Sequence, residues 1–375
     1  MLLDLFSGKN LQPAECVIRI GGEEIVHLYP YLIEVGVTMT RRDGTEATLQ
    51  FQTRRDRDGQ WLVQDDPLIE PWAEIEIIAR FGEDDQEVMR GYLKKVSASY
   101  PTDAGTSTVI ISCQDASILM DRNHRRRVWG AETPTDDLLI LSEMLGDVGL
   151  ALDPESTGES GVTLNQNQTD IRFLRTRSQE LGYDLIFREG LLYFGPWRLD
   201  DSPQETIIVQ GGPDTQCISF SLDEDGHTPD QVTFDVASES GSDAVEQSVT
   251  PNQTLLGPEA AGSESSGLAD FNWRLNQQGE ANPDRLQRIA QTKANENAFK
   301  IKASGELDGS LYGYVLHVGK TVGVDGVGER HSGIYYVDRV EHKFDGNGYR
   351  QSFQLLRNAY GDNLAENLPG VLSAL

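Results

Sequence analysis

The chain has 375 residues, too many for one ordinary core of about 100–200 residues, so more than one structural unit is expected. Hydrophobic residues make up 38% and mean hydropathy is -0.43, with no apolar run near the roughly 20 residues of a membrane-crossing helix, so no membrane partner is expected. Sixty Asp and Glu against 32 Lys and Arg leave a formal net charge of -28, which argues against specific nucleic-acid binding, because phosphate contact needs clustered cations.

The opening Met-Leu-Leu-Asp-Leu-Phe-Ser-Gly-Lys lacks the basic segment and long apolar core of a secretory signal, so synthesis in the cytoplasm is expected. Through residue 118 the pattern is that of strands. Ala47, Leu49 and Phe51 alternate with Thr48, Gln50 and Gln52, Ala73, Ile75, Ile77, Ala79 and Phe81 alternate with Glu74, Glu76 and Arg80, and Val109, Ile111 and Cys113 continue the period of two. Turn signals at 42–44, 56–59 and 82–85 separate them, which predicts a small antiparallel barrel or sandwich.

The period then changes. Leu138, Leu141, Leu145 and Val148 share one helical face behind Pro134. A second helix is predicted from Thr169-Asp170, with Ile171, Leu174, Ser178 and Leu181 on one side and Gly182 as its left-handed terminator. Tyr183, Leu185 and Phe187 alternate, Arg188-Glu189-Gly190 turns, and Leu191 and Tyr193 return, which predicts a hairpin. Strand-like runs follow at 206–209, 218–222 and 232–236, then a Ser-, Gly- and Asn-rich stretch from 237 to 267 that reads as a long loop. Asn282-Pro283 opens a further helix with Leu286, Ile289 and Ala290 inward. Strands resume at Phe299, Ile301 and Ala303, and Asp345-Gly346-Asn347-Gly348 turns between runs 334–344 and 349–356.

Residues that carry chemistry are sparse. Cys16, Cys113 and Cys217 form no C-x-x-C, six histidines are scattered without metal spacing, and no G-x-S-x-G elbow occurs. Gly319-Lys320-Thr321 ends like a phosphate loop, but Tyr314 stands where the first glycine belongs and Val322-Gly323-Val324 favours a strand. No catalytic residue, metal or cofactor is therefore expected. Two charge features stand out. Arg122-Asn-His-Arg-Arg-Arg127 is basic, and Arg125, Arg126 and Arg127 are candidates for an interface with acidic surface. Between Leu199 and Trp273 there is no Lys or Arg and there are fifteen carboxylates, among them Asp223, Glu224, Asp225 and Asp230. They read as a solvated surface or as a wall facing a lumen or a basic partner.

Two segments resemble the phage late control D family, which includes tail baseplate hubs and the hub part of the type VI secretion spike. Phe173-Leu174 in the helix, the Gly182-Tyr183 step and the Tyr193-Phe194-Gly195 ending match its helix-plus-hairpin signature. Gly333, Tyr335, Val337, Val340 and His342, followed by Gly348-Tyr349, match its last hairpin, with Ser352 where Thr is usual. The resemblance implies an α+β, mainly β fold: two β-barrel-like tube domains with an inserted α+β domain, three copies closing a pseudo-sixfold ring. The units would be 1–118, the first tube domain; 119–200, the α+β domain; 201–236 with 284–360, the second tube domain; 237–283, an acidic insertion; and 361–375, a tail.

The implied function is a homotrimeric baseplate hub of a phage tail or contractile injection system. It would join a hexameric tail tube protein to a separate trimeric spike, contact other baseplate proteins, and be incorporated into a virion-like particle. Leu364, Leu368, Val371 and Leu375 lie at near-helical spacing and are candidates to touch the spike. Asp223, Glu224, Asp225 and Asp230 would then face the channel. A cell-wall-degrading tail hydrolase and a carbohydrate-binding tail adhesin are the alternatives.

Overall fold

Alternation of buried and exposed side chains with a period of two marks a sheet with one covered face, and it governs most strands of this chain. The computed structural model describes residues 12–102, 105–236, 245–262, 269–276 and 282–364. The fold is mostly β, built on one large curled sheet.

The first part of the chain gives β1 (Ala14–Ile20), β2 (Leu32–Thr40), β3 (Glu46–Gln52), β4 (Glu74–Phe81), β5 (Asp84–Ser99) and β6 (Thr108–Asp115). They pair antiparallel in the order β2-β3-β6-β5-β4-β1. The middle gives β7 (His124–Trp129), α1 (Asp137–Gly146), β8 (Leu164–Thr169), α2 (Asp170–Leu181) and the hairpin β9 (Asp184–Arg188) and β10 (Leu191–Gly195). Then come β11 (Gln204–Ile208), β12 (Cys217–Glu224), β13 (Gln231–Val236), β14 (Val245–Val249), β15 (Asn272–Arg274) and α3 (Pro283–Asn297). The last strands are β16 (Ile301–Asp308), β17 (Thr321–Asp325), β18 (Gly333–Asp345) and β19 (Gly348–Arg357).

The two β-rich ends of the chain share one sheet. The first half of β18 pairs with β17, and its second half pairs with β2, from Arg339 opposite Thr40 to Phe344 opposite Val35. The order therefore runs β12-β16-β19-β18-β2-β3-β6-β5-β4-β1, with β11 and β17 branching from β18. One apolar core underlies both ends, joining Val35, Phe51, Ile77 and Leu93 to Leu307, Val337, Val340 and Leu355. Each such side chain contributes roughly 1.5–3 kcal/mol on full burial.

The middle layer has its own core of Trp129, Leu141, Met144, Ile171, Phe173, Leu174, Leu185 and Phe194. Buried Arg177 on α2 ties it to α1, donating to both oxygens of Asp137. Gly182 ends α2 at φ 70° for two reasons. That region is open to glycine without strain, and a Cβ there would lie 2.7 Å from Thr292 Cγ2.

One expectation needs redrawing. Residues 231–236 and helix α3 do not join the main sheet. Strand β13 pairs with β14 and with β15, both from within the 237–283 segment read as an acidic insertion, and α3 covers the small sheet through Leu286, Ala290 and Ala294 on Val232 and Phe234. The sequence hid this because the apolar content of β14 and β15 is too low for a periodic signal.

Candidate functional site

The main sheet and the middle layer meet at a buried charge. Arg41 immediately follows β2, Asp184 opens β9, Trp197 follows β10, and Tyr336 and Asp338 lie on β18. Arg41 Nη1 donates to Asp184 Oδ1 at 2.8 Å, and its Nε donates to Asp338 Oδ1 at 2.7 Å. The Tyr336 hydroxyl donates to the second Asp184 oxygen at 2.5 Å. The guanidinium lies 3.8 Å over the Trp197 ring, and that ring stacks on Tyr336 at 5.3 Å and 6°. The Leu185 N–H donates to the Arg41 carbonyl at 2.8 Å, so the backbones are also joined.

Burial opposes the Arg41 charge, but the Asp184 and Asp338 carboxylates outweigh it and hold its pKa above the ordinary guanidinium value. Burial, with the adjacent Asp184 carboxylate, also raises Tyr336 well above the ordinary phenol range. Around this centre Arg42 donates to the Tyr183 carbonyl and to Glu296, each at 3.1 Å. Arg198 donates to the Gly319 carbonyl at 3.2 Å and covers the Tyr193 ring. A satisfied buried ion cluster of this kind adds little net stability but fixes one geometry.

The signature residues fall around this joint and on the last hairpin. Gly182 and Tyr183 precede Asp184, and Gly195 closes β10 where a Cβ would sit 2.7 Å from the Tyr193 hydroxyl. Phe173 and Leu174 are in the middle core. Tyr335 and Val337 flank Tyr336 and, with Val340 and Tyr349, enter the main core. Gly333 has φ 136°, and a Cβ there would strike Arg357 Nη2. Gly348 has φ 105° at the hairpin turn. His342 is buried, with Nδ1 2.8 Å from the Tyr349 hydroxyl. The sequence reading missed Arg41, Asp184, Trp197, Asp338 and Arg357. Buried charges break the apolar periodicity and Trp197 stands outside any periodic run, so no local signal announced them.

The other candidates separate. Arg125 Nη2 meets Asp147 at 2.8 Å and Asp170 at 3.0 Å, and Arg127 meets Glu143 and lies over Trp129, so both face their own helices. Arg126 is exposed. Glu224 accepts from Tyr360, Arg330 and His331, and Asp230 from Lys300 and the Phe271 N–H, whereas Asp223 and Asp225 are exposed at the end of β12. Leu364 is buried against Leu256, Phe299 and Ile334, which removes it as a free contact. Leu368, Val371 and Leu375 lie outside the described residues. Gly319-Lys320-Thr321 runs into β17, with Thr321 Oγ1 donating to the Asp201 carbonyl at 3.0 Å.

The solvent face of the sheet differs from the rest of this acidic chain. Across the central strands it presents Thr38, Thr40, Thr48, Gln50, Ser112, Ser221, Ser304, Ser352 and Gln354. Its charges are largely matched, as in Lys343 with Glu34 at 2.9 Å and Arg350 with Glu306 at 2.8 Å. Among the described residues no group of three His, Cys, Asp or Glu is placed to hold a metal, and no helix is long and apolar enough to cross a membrane.

A family model described as the Alg8 N-terminal domain matches residues 11–345, nearly the whole chain. The chain belongs to that family. Among solved structures, the 43 kDa tail protein of prophage MuSo2 from Shewanella oneidensis superposes with a TM-score of 0.68 at 14% identity, covering 92% of this chain and 98% of that one. A tail protein from Neisseria meningitidis gives 0.65 at 13% identity, covering 92% and 97%. An E. coli component of the type VI secretion system gives 0.54 at 10%, covering 92% and 79%. The fold is thus that of phage tail and type VI secretion spike-related proteins. No curated protein matches the sequence.

Proposed function

We propose that this chain is a structural tail protein acting as a baseplate hub, three copies forming a ring between a tail tube and a separate spike. The observation that carries this reading is the single sheet shared by both ends of the chain, in a fold otherwise seen in tail proteins. Its outer strands, β12 at one end and the Glu23–Glu24 strand beside β1 at the other, each have one neighbour among the described residues. Ring closure would cover such edges, which otherwise invite uncontrolled pairing. The two β-rich ends then supply six similar units per trimer, in the manner of the late control D resemblance.

In this reading Asp223 and Asp225 face the channel, while Glu224 and Asp230 do not, because their charge is matched internally. Arg126 is the remaining basic candidate for a contact between copies, and Leu368, Val371 and Leu375 remain the candidates for the spike. Catalysis has no part in it, so turnover of peptidoglycan by the pure protein would overturn that element. The main test is mass and shape in solution. Light scattering should give three times the 41.5 kDa chain, and negative-stain images a three-fold ring with a pore. Compact monomers at every concentration would refute the hub.

A further inference from the structure

A pocket of about 220 Å³ opens where the bulged strand β5, the turn of the β9–β10 hairpin and the segment before β17 come together. It belongs to none of the contacts described above. Its buried walls are Met39, Val88, Met89, Ile186 and Val318. This volume exceeds the roughly 150 Å³ of an apolar cavity that holds benzene. Pockets of this make, apolar with a few convergent polar groups and set between units, are where small ligands bind.

The polar groups are unequally occupied. Asp115 is spent, accepting from the Thr45 N–H at 2.6 Å and the Ser117 N–H at 3.0 Å. Glu87 is held by Arg90 at 2.9 Å and accepts the Glu189 N–H at 3.2 Å. That bond pins Glu189 at φ 52°, a conformation costly for a non-glycine residue, at the lip. By contrast, no described hydrogen bond reaches the imidazole of His317, whose backbone alone is paired, with Gln204. Arg188 has one loose carboxylate contact, to Glu189 at 3.8 Å. Two half-buried groups with donor capacity thus line the cavity, His317 with no described partner for its ring and Arg188 with only the distant Glu189 carboxylate.

The geometry points to a ligand-binding pocket for a small uncharged molecule, a benzene-sized ring bearing a carbonyl-type acceptor, with the acceptor on Arg188 and His317. The charges select against the alternatives. Glu74, Glu87 and Glu189 outnumber Arg90 around the mouth, which disfavours an anion. Arg188 inside disfavours a cation. Burial, reinforced by Arg188, holds His317 well below its ordinary value, so at neutral pH it offers one N–H rather than a second charge.

Size-matched probes test this on the intact chain: benzamide, benzoate, benzylamine and toluene, titrated by calorimetry and followed by ligand-observed NMR. Benzamide is expected to bind saturably at one site per chain, about tenfold tighter than each of the other three, the gain of one well-made hydrogen bond or one avoided buried charge. Arg188→Leu should bring benzamide down to the level of toluene, and His317→Leu serves as the second variant should the first not fold. Leu191→Trp, filling the pocket from the hairpin side, should abolish binding. Absence of saturable binding, benzoate or benzylamine matching benzamide, or a toluene affinity equal to that of benzamide would each overturn the proposal. The result does not depend on ring formation, so the hub reading and this one fail separately.

Discussion

Arg357 has no exposed surface, and its guanidinium donates to the carbonyls of His331 and Ser332 at 2.9 Å, Gly361 at 2.6 Å and Leu256 at 3.3 Å. One side chain thus ties the last strand to three loops. Lysine has no planar fork to reach them. Arg357→Lys should cost about 2 kcal/mol or more, and Arg357→Met more than that, read as a lower urea midpoint at unchanged m. Two buried titratable groups act at the same scale with opposite sign. Burial lowers His342 from 6.5 to about 3, so the unfolded chain gains a proton below pH 6.5 that the folded chain refuses. Stability contributed by its neutral form is then lost as pH falls from 6.5 towards 3, at about 1.4 kcal/mol per unit. Burial raises Asp115 from 3.8 to about 6, so the folded chain keeps a proton the unfolded chain has released. This group lowers stability as pH rises from 3.8 through about 6. Denaturation at pH 4.5 and 7 should show His342→Asn losing up to about 2–3 kcal/mol less than the parent on acidification. Asp115→Asn should instead gain on the parent between pH 4 and 7.

At the scale of elements, the middle layer has its own core and meets the main sheet through the Arg41 joint, so the joint governs their orientation. Arg41→Ala leaves Asp184 buried with half its partners, a change worth about 3–5 kcal/mol in comparable pairs. Its expected signature is a separate, earlier calorimetric step for the middle layer, with Trp197 fluorescence shifting red in that step. A single cooperative transition would mean the layers are coupled by packing alone. The helix α2, its Gly182 stop and the hairpin were legible because each has a local cause: a periodic face, a cap, a turn. The pairing of β18 with β2 was not, since alternation says that a strand has one buried face and not which strand lies beside it. The joint escaped for the same reason, its members coming from positions 41, 184, 197, 336 and 338. The small sheet of β13, β14 and β15 escaped through composition, because Val245–Val249 and Asn272–Arg274 are mostly exposed.

For the whole molecule the dominant quantity is the net charge of -28. Copies of such a chain repel one another until the charge is screened, and the Debye length falls from about 30 Å at 0.01 M salt to about 8 Å at 0.15 M. Self-association should therefore strengthen with added salt, the mass from light scattering rising between 10 and 300 mM NaCl. The matched charges and hydroxyl groups on the sheet's solvent face leave that surface out of the repulsion, so the effect should come from the acidic remainder.

The pairing of β18 with β2 also sets a timetable. Thr40 leaves the ribosome some 300 residues before its partner Arg339 is made. At about 5–20 residues per second, the open edge of β2 waits roughly 15–60 s for the strand that covers it. A β unit that can form early but must hold an unpaired edge that long is exposed to pairing with a neighbouring nascent copy. Slow, long-range closure of this kind makes the yield of native chain a race between completion and aggregation, decided during synthesis rather than by the stability of the finished fold.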